Sequence, residues 1–205
     1  MANKVILITG ALTGQDERWQ ATGKFEIRAL GAEAEFIYAD VRKEDDAVER
    51  FGRLDVAVNN AGTEGTPGPI RSTFDTNVLG TVLSLKHELR VMTTQGSGSI
   101  ITTSSTFGHK SFAGASIYVA SKHAIEGLTL SVALEAAASG TDPDRYARPL
   151  RWWKRGEKGR IGVNCASQTR WYRGGGRQHC LFVASDSASF IIGSVLSVDG
   201  GVSSP

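Results

Sequence analysis

The sequence predicts an α/β fold, a doubly wound parallel sheet flanked by helices, on three observations. Short apolar runs rich in β-branched residues each stop at small or polar residues. Longer stretches between them repeat their apolar residues every three or four positions. The two patterns alternate along 205 residues, which suits a single domain over 1–205 with a sizeable core.

Val5 to Ile8 is wholly apolar and stops at Thr9-Gly10, which predicts a strand buried on both faces. Phe36 to Ala39 stops at Asp40, and Leu54 to Val58 at Asn59-Asn60-Ala61-Gly62. Ser99 to Thr103 stops at Ser104-Ser105. In an open α/β sheet such carboxyl ends form the ligand crevice. Phe74 to Met92 carries Val78, Val82, Leu85, Leu89 and Met92 on one helical face. Ile117 to Ser139, rich in Ala and Leu, is a second helix with Gly140 as its predicted cap. Regular patterning returns at Leu181 to Ser185, Phe190 to Gly193 and Val195 to Val198.

Apolar content of 40% against 21% charged residues is ordinary for a globular chain. No apolar run reaches the roughly 20 residues of a membrane span, and the run after Lys4 is too short for a signal peptide, so no membrane partner is expected. Cys165 and Cys180 have no metal-type neighbours and point to a reducing, cytoplasmic setting. The formal charge of +2 hides an asymmetry. Thr141 to Cys180 holds ten Lys/Arg against three Asp/Glu, leaving −5 on the rest. This segment carries Trp152, Trp153, Trp171, eight arginines and Gly174-Gly175-Gly176 without clean periodicity. Arginines beside aromatics can serve a nucleic-acid surface, but no binding module frames them, so an irregular solvated loop and no nucleic-acid partner are expected. His87, His109, His123 and His179 lack ligand-type spacing and read as solvated surface residues, with no metal site.

Tyr118 and Lys122 stand four apart on the second helix, so both side chains leave one face. A phenol titrates near ~10 in water, and a neighbouring ammonium lowers that value by favouring phenolate. Such a pair can move a proton to or from an alcohol or ketone oxygen. Ser105, at a strand end, can hold that oxygen by a hydrogen bond. Alone, the four-residue spacing is common on helices; what raises it is its company. Thr9-Gly10-Ala11-Leu12-Thr13-Gly14 follows the first strand, Asn59-Asn60-Ala61-Gly62 a later one, and Phe74-Asp75-Thr76-Asn77 opens the helix between.

These pieces resemble the short-chain dehydrogenase/reductase family over 1–14, 31–140 and 181–201. Tyr118-Val119-Ala120-Ser121-Lys122, and Phe190-Ile191-Ile192-Gly193 leading to Val198-Asp199-Gly200-Gly201, are the most specific. The resemblance implies a Rossmann-like domain in which NAD or NADP exchanges a hydride with a small alcohol or carbonyl substrate. It implies Tyr118 as proton donor or acceptor, and Lys122 as the residue that lowers its pKa and binds the nicotinamide ribose. Ser105 would orient the substrate oxygen, and Asn77 would hold a water of the proton relay. Gly10 and Gly14 would form the phosphate turn, Asp40 and Val41 would border the adenine, and Asn60, Ala61 and Gly62 would line the cofactor cleft. It also implies a homodimer or homotetramer paired through the two helices.

The sequence departs from that family in three places. A phosphate turn needs glycines so that backbone N–H groups can approach the pyrophosphate. Here Gln15 and Asp16 follow Gly14, and a carboxylate repels phosphate. Gln15 to Leu30 resembles the family's third crossover helix joined directly to the first turn, so one βα unit after the first strand is missing. Asp40 to Phe51 and Gly62 to Asn77 are also short, the former leaving only Glu44 to Arg50 for a helix. Finally, 141–180 lacks the family's Pro-Gly turn, and only Ile161 to Cys165 resembles the expected strand. Its abrupt change of composition is what a shifted reading frame would leave. The alternative reading is therefore an impaired relative that keeps only the fold and the subunit surfaces.

Overall fold

The computed structural model describes residues 4–10, 52–64, 70–138, 160–168, 175–188 and 190–202. Gly14, Asp40 and Val41 lie outside these residues, as do the strand expected at 36–39, the short helix at 44–50 and the cap expected at Gly140. The described strands are β1 (Ile6–Thr9), β2 (Val56–Asn59), β3 (Ser97–Thr103), β4 (Arg160–Gln168) and β5 (Val195–Val198). They form one sheet in the order β1-β2-β3-β4-β5, every pair parallel. The register sets Thr9 opposite Asn59, Asn59 opposite Thr102, and Thr102 opposite Cys165. All carboxyl ends therefore open on one edge.

The helices are α1 (Ile70–Phe74), α2 (Gly80–Gln95), α3 (Ser116–Ala138) and α4 (Gly175–Val183). Alternation along β2 and β3 divides them between the faces. Ala57 and Ile100 pack with Leu85, Leu89 and Met92 of α2 and with Val132, Ala133 and Ala136 of α3. Val56 and Ile101 face the other way, toward Val183 and Ala184 at the end of α4. A sheet covered on both sides is the doubly wound arrangement that the alternating sequence predicts.

The amino end of the sheet is tied by side chains. Asp55 accepts from the Val5 N–H at 2.8 Å and from Arg53, whose hydrogen bond is the main cause holding its carboxyl below the usual range. Gln95 accepts from the Leu54 N–H at 2.7 Å and donates to its carbonyl at 2.8 Å. The turn from α2 into β3 needs Gly96 at φ 76°, where its N–H reaches back to Met92 and Thr93.

Four expectations change. Val5 to Ile8 is not buried on both faces: Leu7 meets the core, while Ile6 and Ile8, which project to the opposite face beside Val56 and Val58, are 43% and 48% exposed. The helix expected from Phe74 begins at Ile70 and passes through a π-helical turn, Asp75–Leu79, before α2. The segment 141–180 is not wholly irregular. It contains β4, held by ladders on both sides, so backbone pairing supplies order that its composition does not advertise. It also contains the start of α4 at Gly175. His87 and His179 are half-buried rather than solvated, and burial pushes the His179 imidazole below its ordinary value.

A Cβ on Gly98 would lie 2.2 Å from Sδ of the fully buried Met92. Gly98→Ala should therefore lower stability by ~1–3 kcal/mol through overpacking, read as a lower urea midpoint with an unchanged slope.

Candidate active site

β1 ends in a turn with Gly10 at φ 62°, a conformation that disfavours any residue with a Cβ. Space excludes one as well, since a Cβ there would sit 2.4 Å from Cα of Ala61. The loop after β2 thus lies directly on this turn. Thr9 Oγ1 fastens the two, accepting from the N–H of Asn60 at 3.2 Å and of Ala61 at 3.3 Å. Asn60 Nδ2 donates to the Gly10 carbonyl at 3.1 Å. A shallow surface dip beside them is lined by Thr9, Asn59, Ala61, Gly80, Thr81 and Ser84. Gly10, Asn60, Ala61 and Gly62 are therefore brought together.

Asn77 sits in the π turn and is completely buried. Its side chain clamps the next residue of the β2 loop: Oδ1 accepts from the Thr63 N–H at 2.8 Å, and Nδ2 donates to the Thr63 carbonyl at 2.9 Å. Nδ2 also lies 3.0 Å from Ser121 Oγ, which donates to the Tyr118 carbonyl at 2.8 Å. Asn77 thus joins the loop to α3 from within the helix, inside the π turn. Single π turns inside α-helices recur at functional sites.

Tyr118 and Lys122 point into the same space. Lys122 is only 5% exposed, Nζ donates to the Thr103 carbonyl at 3.1 Å, and Nζ lies 5.7 Å from the centre of the Tyr118 ring. Burying an ammonium is costly unless it is hydrogen-bonded, and here a strand-end carbonyl meets it. Gly62 brings this group to the loop: a Cβ there would lie 3.5 Å from Lys122 Nζ and 3.4 Å from Asn77 Oδ1. The Tyr118 ring is held edge-on by Phe107, with centroids 6.4 Å apart, and Phe107 in turn packs on Phe112.

Ser105 is buried at the end of β3, and its Oγ accepts from the Phe107 N–H at 3.3 Å, capping the short turn Thr106–Gly108. One carboxylate anchors this turn. Glu126 Oε1 accepts from Ser104 Oγ at 2.8 Å and meets His109 Nδ1 at 3.4 Å. A Cβ on Gly108 would be 2.0 Å from that same oxygen. Sequence reasoning missed Glu126, Ser121 and Thr63. The available signal was helical: Ser121, Ile125, Glu126 and Thr129 share the buried face of α3.

Glu88 was missed in the same way, although it continues the apolar stripe of Leu85, Leu89 and Met92. It is buried, accepts from Asn59 Nδ2 at 2.8 Å, and burial pushes its carboxyl from 4.5 to about 7, with the Asn59 bond opposing. Between those two values the folded chain keeps a proton that the unfolded chain has lost. Stability should therefore be full below about pH 4.5 and fall as pH rises through about 7, by on the order of 3 kcal/mol. Urea unfolding across that range checks it: wild type loses stability and Glu88→Gln lacks this component.

The family model for short chain dehydrogenases matches residues 8–141. Xanthoxin dehydrogenase of Arabidopsis thaliana is 35% identical over 256 residues, covering 98% of this chain and 90% of that protein. That alignment is longer than the 205 residues of this chain, so the relative carries stretches with no counterpart here. Cis-4-hydroxycyclohexanecarboxylate dehydrogenase of Sinomonas cyclohexanicum is 33% identical over 199 residues, covering 85% and 79%. A short-chain type dehydrogenase/reductase from Mycobacterium marinum matches in structure with a TM-score of 0.78 at 26% identity, covering 99% of this chain and 96% of that one. The strand-end crevice, the glycine turn at Gly10 and these matches establish that the chain belongs to the short-chain dehydrogenase/reductase family of NAD(P)-dependent oxidoreductases.

Proposed function

We propose that Tyr118, Lys122 and Ser105 carry out proton transfer in the interconversion of a small alcohol and its ketone or aldehyde. The observation that carries this reading is the buried Lys122 ammonium, fixed on the Thr103 carbonyl beside the Tyr118 ring and reached by Gly62. A cation there favours the phenolate of Tyr118, which makes the phenol an effective base for an alcohol and an effective acid for a ketone. The Ser105 cap uses an oxygen lone pair, which leaves its O–H to donate to the substrate oxygen. Asn77 Oδ1 and Lys122 Nζ approach the same face of Gly62, so a relay water has an acceptor and a donor within reach of one point.

NAD or NADP fits the described residues. Gly10 leaves no space for a side chain beneath the loop, and Asn60, Ala61 and Gly62 line the edge that a nucleotide would follow. Lys122 would bind its ribose. When bound, the nicotinamide supplies the acceptor or donor of the hydride. Tyr118→Phe should lower turnover by ~10²–10⁴-fold while leaving the melting temperature and the dissociation constants for NADH and NADPH near wild type. Turnover within a factor of a few of wild type would refute the proton role.

The same reading places the protein in the cytoplasm, in keeping with two cysteines that lack a disulfide framework. No helix among the described residues is long and apolar enough to cross a membrane. A homodimer or homotetramer is supported by apolar side chains left outward on α3, where Leu134 is 73% exposed and Leu130 is also exposed. Leu134→Glu should shift the sedimentation coefficient toward the monomer; an unchanged oligomer would exclude this face.

A further inference from the structure

The loop proposed to meet the nucleotide is rooted in Asn59, the last residue of β2. Its Nδ2 donates to Glu88 Oε2 on α2, and both side chains are buried. Thr102 is the partner of Asn59 in the β2–β3 register and is equally buried. Among the described residues, Asn59 Oδ1, Glu88 Oε1 and Thr102 Oγ1 have no hydrogen-bond partner. Three such atoms around one contact call for an explanation, because a buried polar atom without a partner is destabilising.

Protonation provides it. In a carboxylate–amide pair, Oε1 and Oδ1 are both acceptors and neither can serve the other. A proton on Oε1 turns that atom into a donor, so acid and amide can pair reciprocally. Burial and the Asn59 bond are the two influences on the carboxyl; no charged group of β2, β3 or α3 among the described residues acts on it. The next residues are the crevice itself. The Asn60 and Ala61 N–H groups bond to Thr9, and Gly62 abuts Asn77 and Lys122.

We propose that Glu88 is a positioning residue for this crevice: as a neutral acid it pairs reciprocally with Asn59 and fixes the Asn60-Ala61-Gly62 loop for the nucleotide, and on ionising it keeps the bond from Asn59 Nδ2 but loses the one that Oε1 donates, which frees the Asn59 carbonyl side of the pair and loosens that loop. The nucleotide half of this statement rests on the function proposed above; the loop half does not. Two measurements on the full chain separate them, at several values between about pH 6 and pH 8. One is amide hydrogen exchange of the peptide containing 59–63, corrected for intrinsic rate, and the other is titration with NADH and NADPH.

In wild type, protection of this peptide falls as pH rises, and one unit above the midpoint the apparent dissociation constant is about tenfold weaker, because about a tenth of the molecules are competent. Glu88→Gln, whose amide can both donate and accept, keeps the loop protected and the affinity constant with pH. Glu88→Leu, which leaves the Asn59 amide without a partner, exchanges fast at every pH. Equal pH dependence in wild type and Glu88→Gln overturns the proposal, as does a Glu88→Leu loop protected like that of Glu88→Gln. If exchange follows Glu88 but neither nucleotide binds at any pH, the positioning role stands and the nucleotide reading of the crevice falls.

Discussion

An ammonium group taken out of water at the end of a strand is the constraint around which this molecule is arranged. Nζ of Lys122 has the Thr103 carbonyl at 3.1 Å and the face of a phenol at 5.7 Å. Removing a charge from solvent is tolerated only where fixed dipoles replace the water, and a strand-end carbonyl is such a dipole. That requirement locks α3 to the carboxyl edge of β3. It also explains the polar lining that follows along the same helix face, with Ser121 bound to Asn77 and Glu126 bound to Ser104. A purely apolar face on α3 would pack the sheet equally well and leave the lysine without its surroundings.

The neighbouring loops are held by the same means, side chain to backbone. Thr9 bonds two amides of the β2 loop, Asn77 bonds both polar groups of Thr63, and Gln95 bonds both polar groups of Leu54 at the opposite end. Each satisfies peptide groups in the loops at the strand ends, an accounting every folded chain must meet. The π turn at Asp75–Leu79 belongs to this scheme. Inserting one extra residue per turn alters which side chains face inward, and it is within that turn that Asn77 becomes fully buried.

What could be read from the sequence follows from which forces are local. Short apolar runs ending in small or polar residues gave β1, β2 and β3, and helical patterning gave α2 and α3, because burial imprints itself on nearby residues. The spacing of Tyr118 and Lys122 placed that pair on one helix face for the same reason. Asn77 was legible as a motif member but not as a clamp, since regular helical spacing cannot foresee a π turn. Glu126 and Ser104 are 22 residues apart, and Glu88 and Asn59 are 29 apart. Neither contact leaves a local trace beyond a carboxylate in an apolar stripe, which periodicity rules treat as an anomaly instead of a clue. β4 was visible only as Ile161 to Cys165, because its order comes from ladders with β3 and β5.

The shortened connections become intelligible on the same grounds. Parallel neighbours in a sheet need not be neighbours in sequence, and β1 pairs with β2 across 46 intervening residues with no change of register from Ile6 to Thr9. A βα unit removed from that interval takes nothing from the β1–β2 ladder. Ile6 and Ile8, which the sequence presents as core residues, are exposed on β1. Lys122 meets the Thr103 carbonyl after β3, the Tyr118 ring on α3 and Gly62 in the loop after β2. The described crevice is thus built on the ends of β1, β2 and β3, strand ends that a parallel sheet aligns one pair at a time.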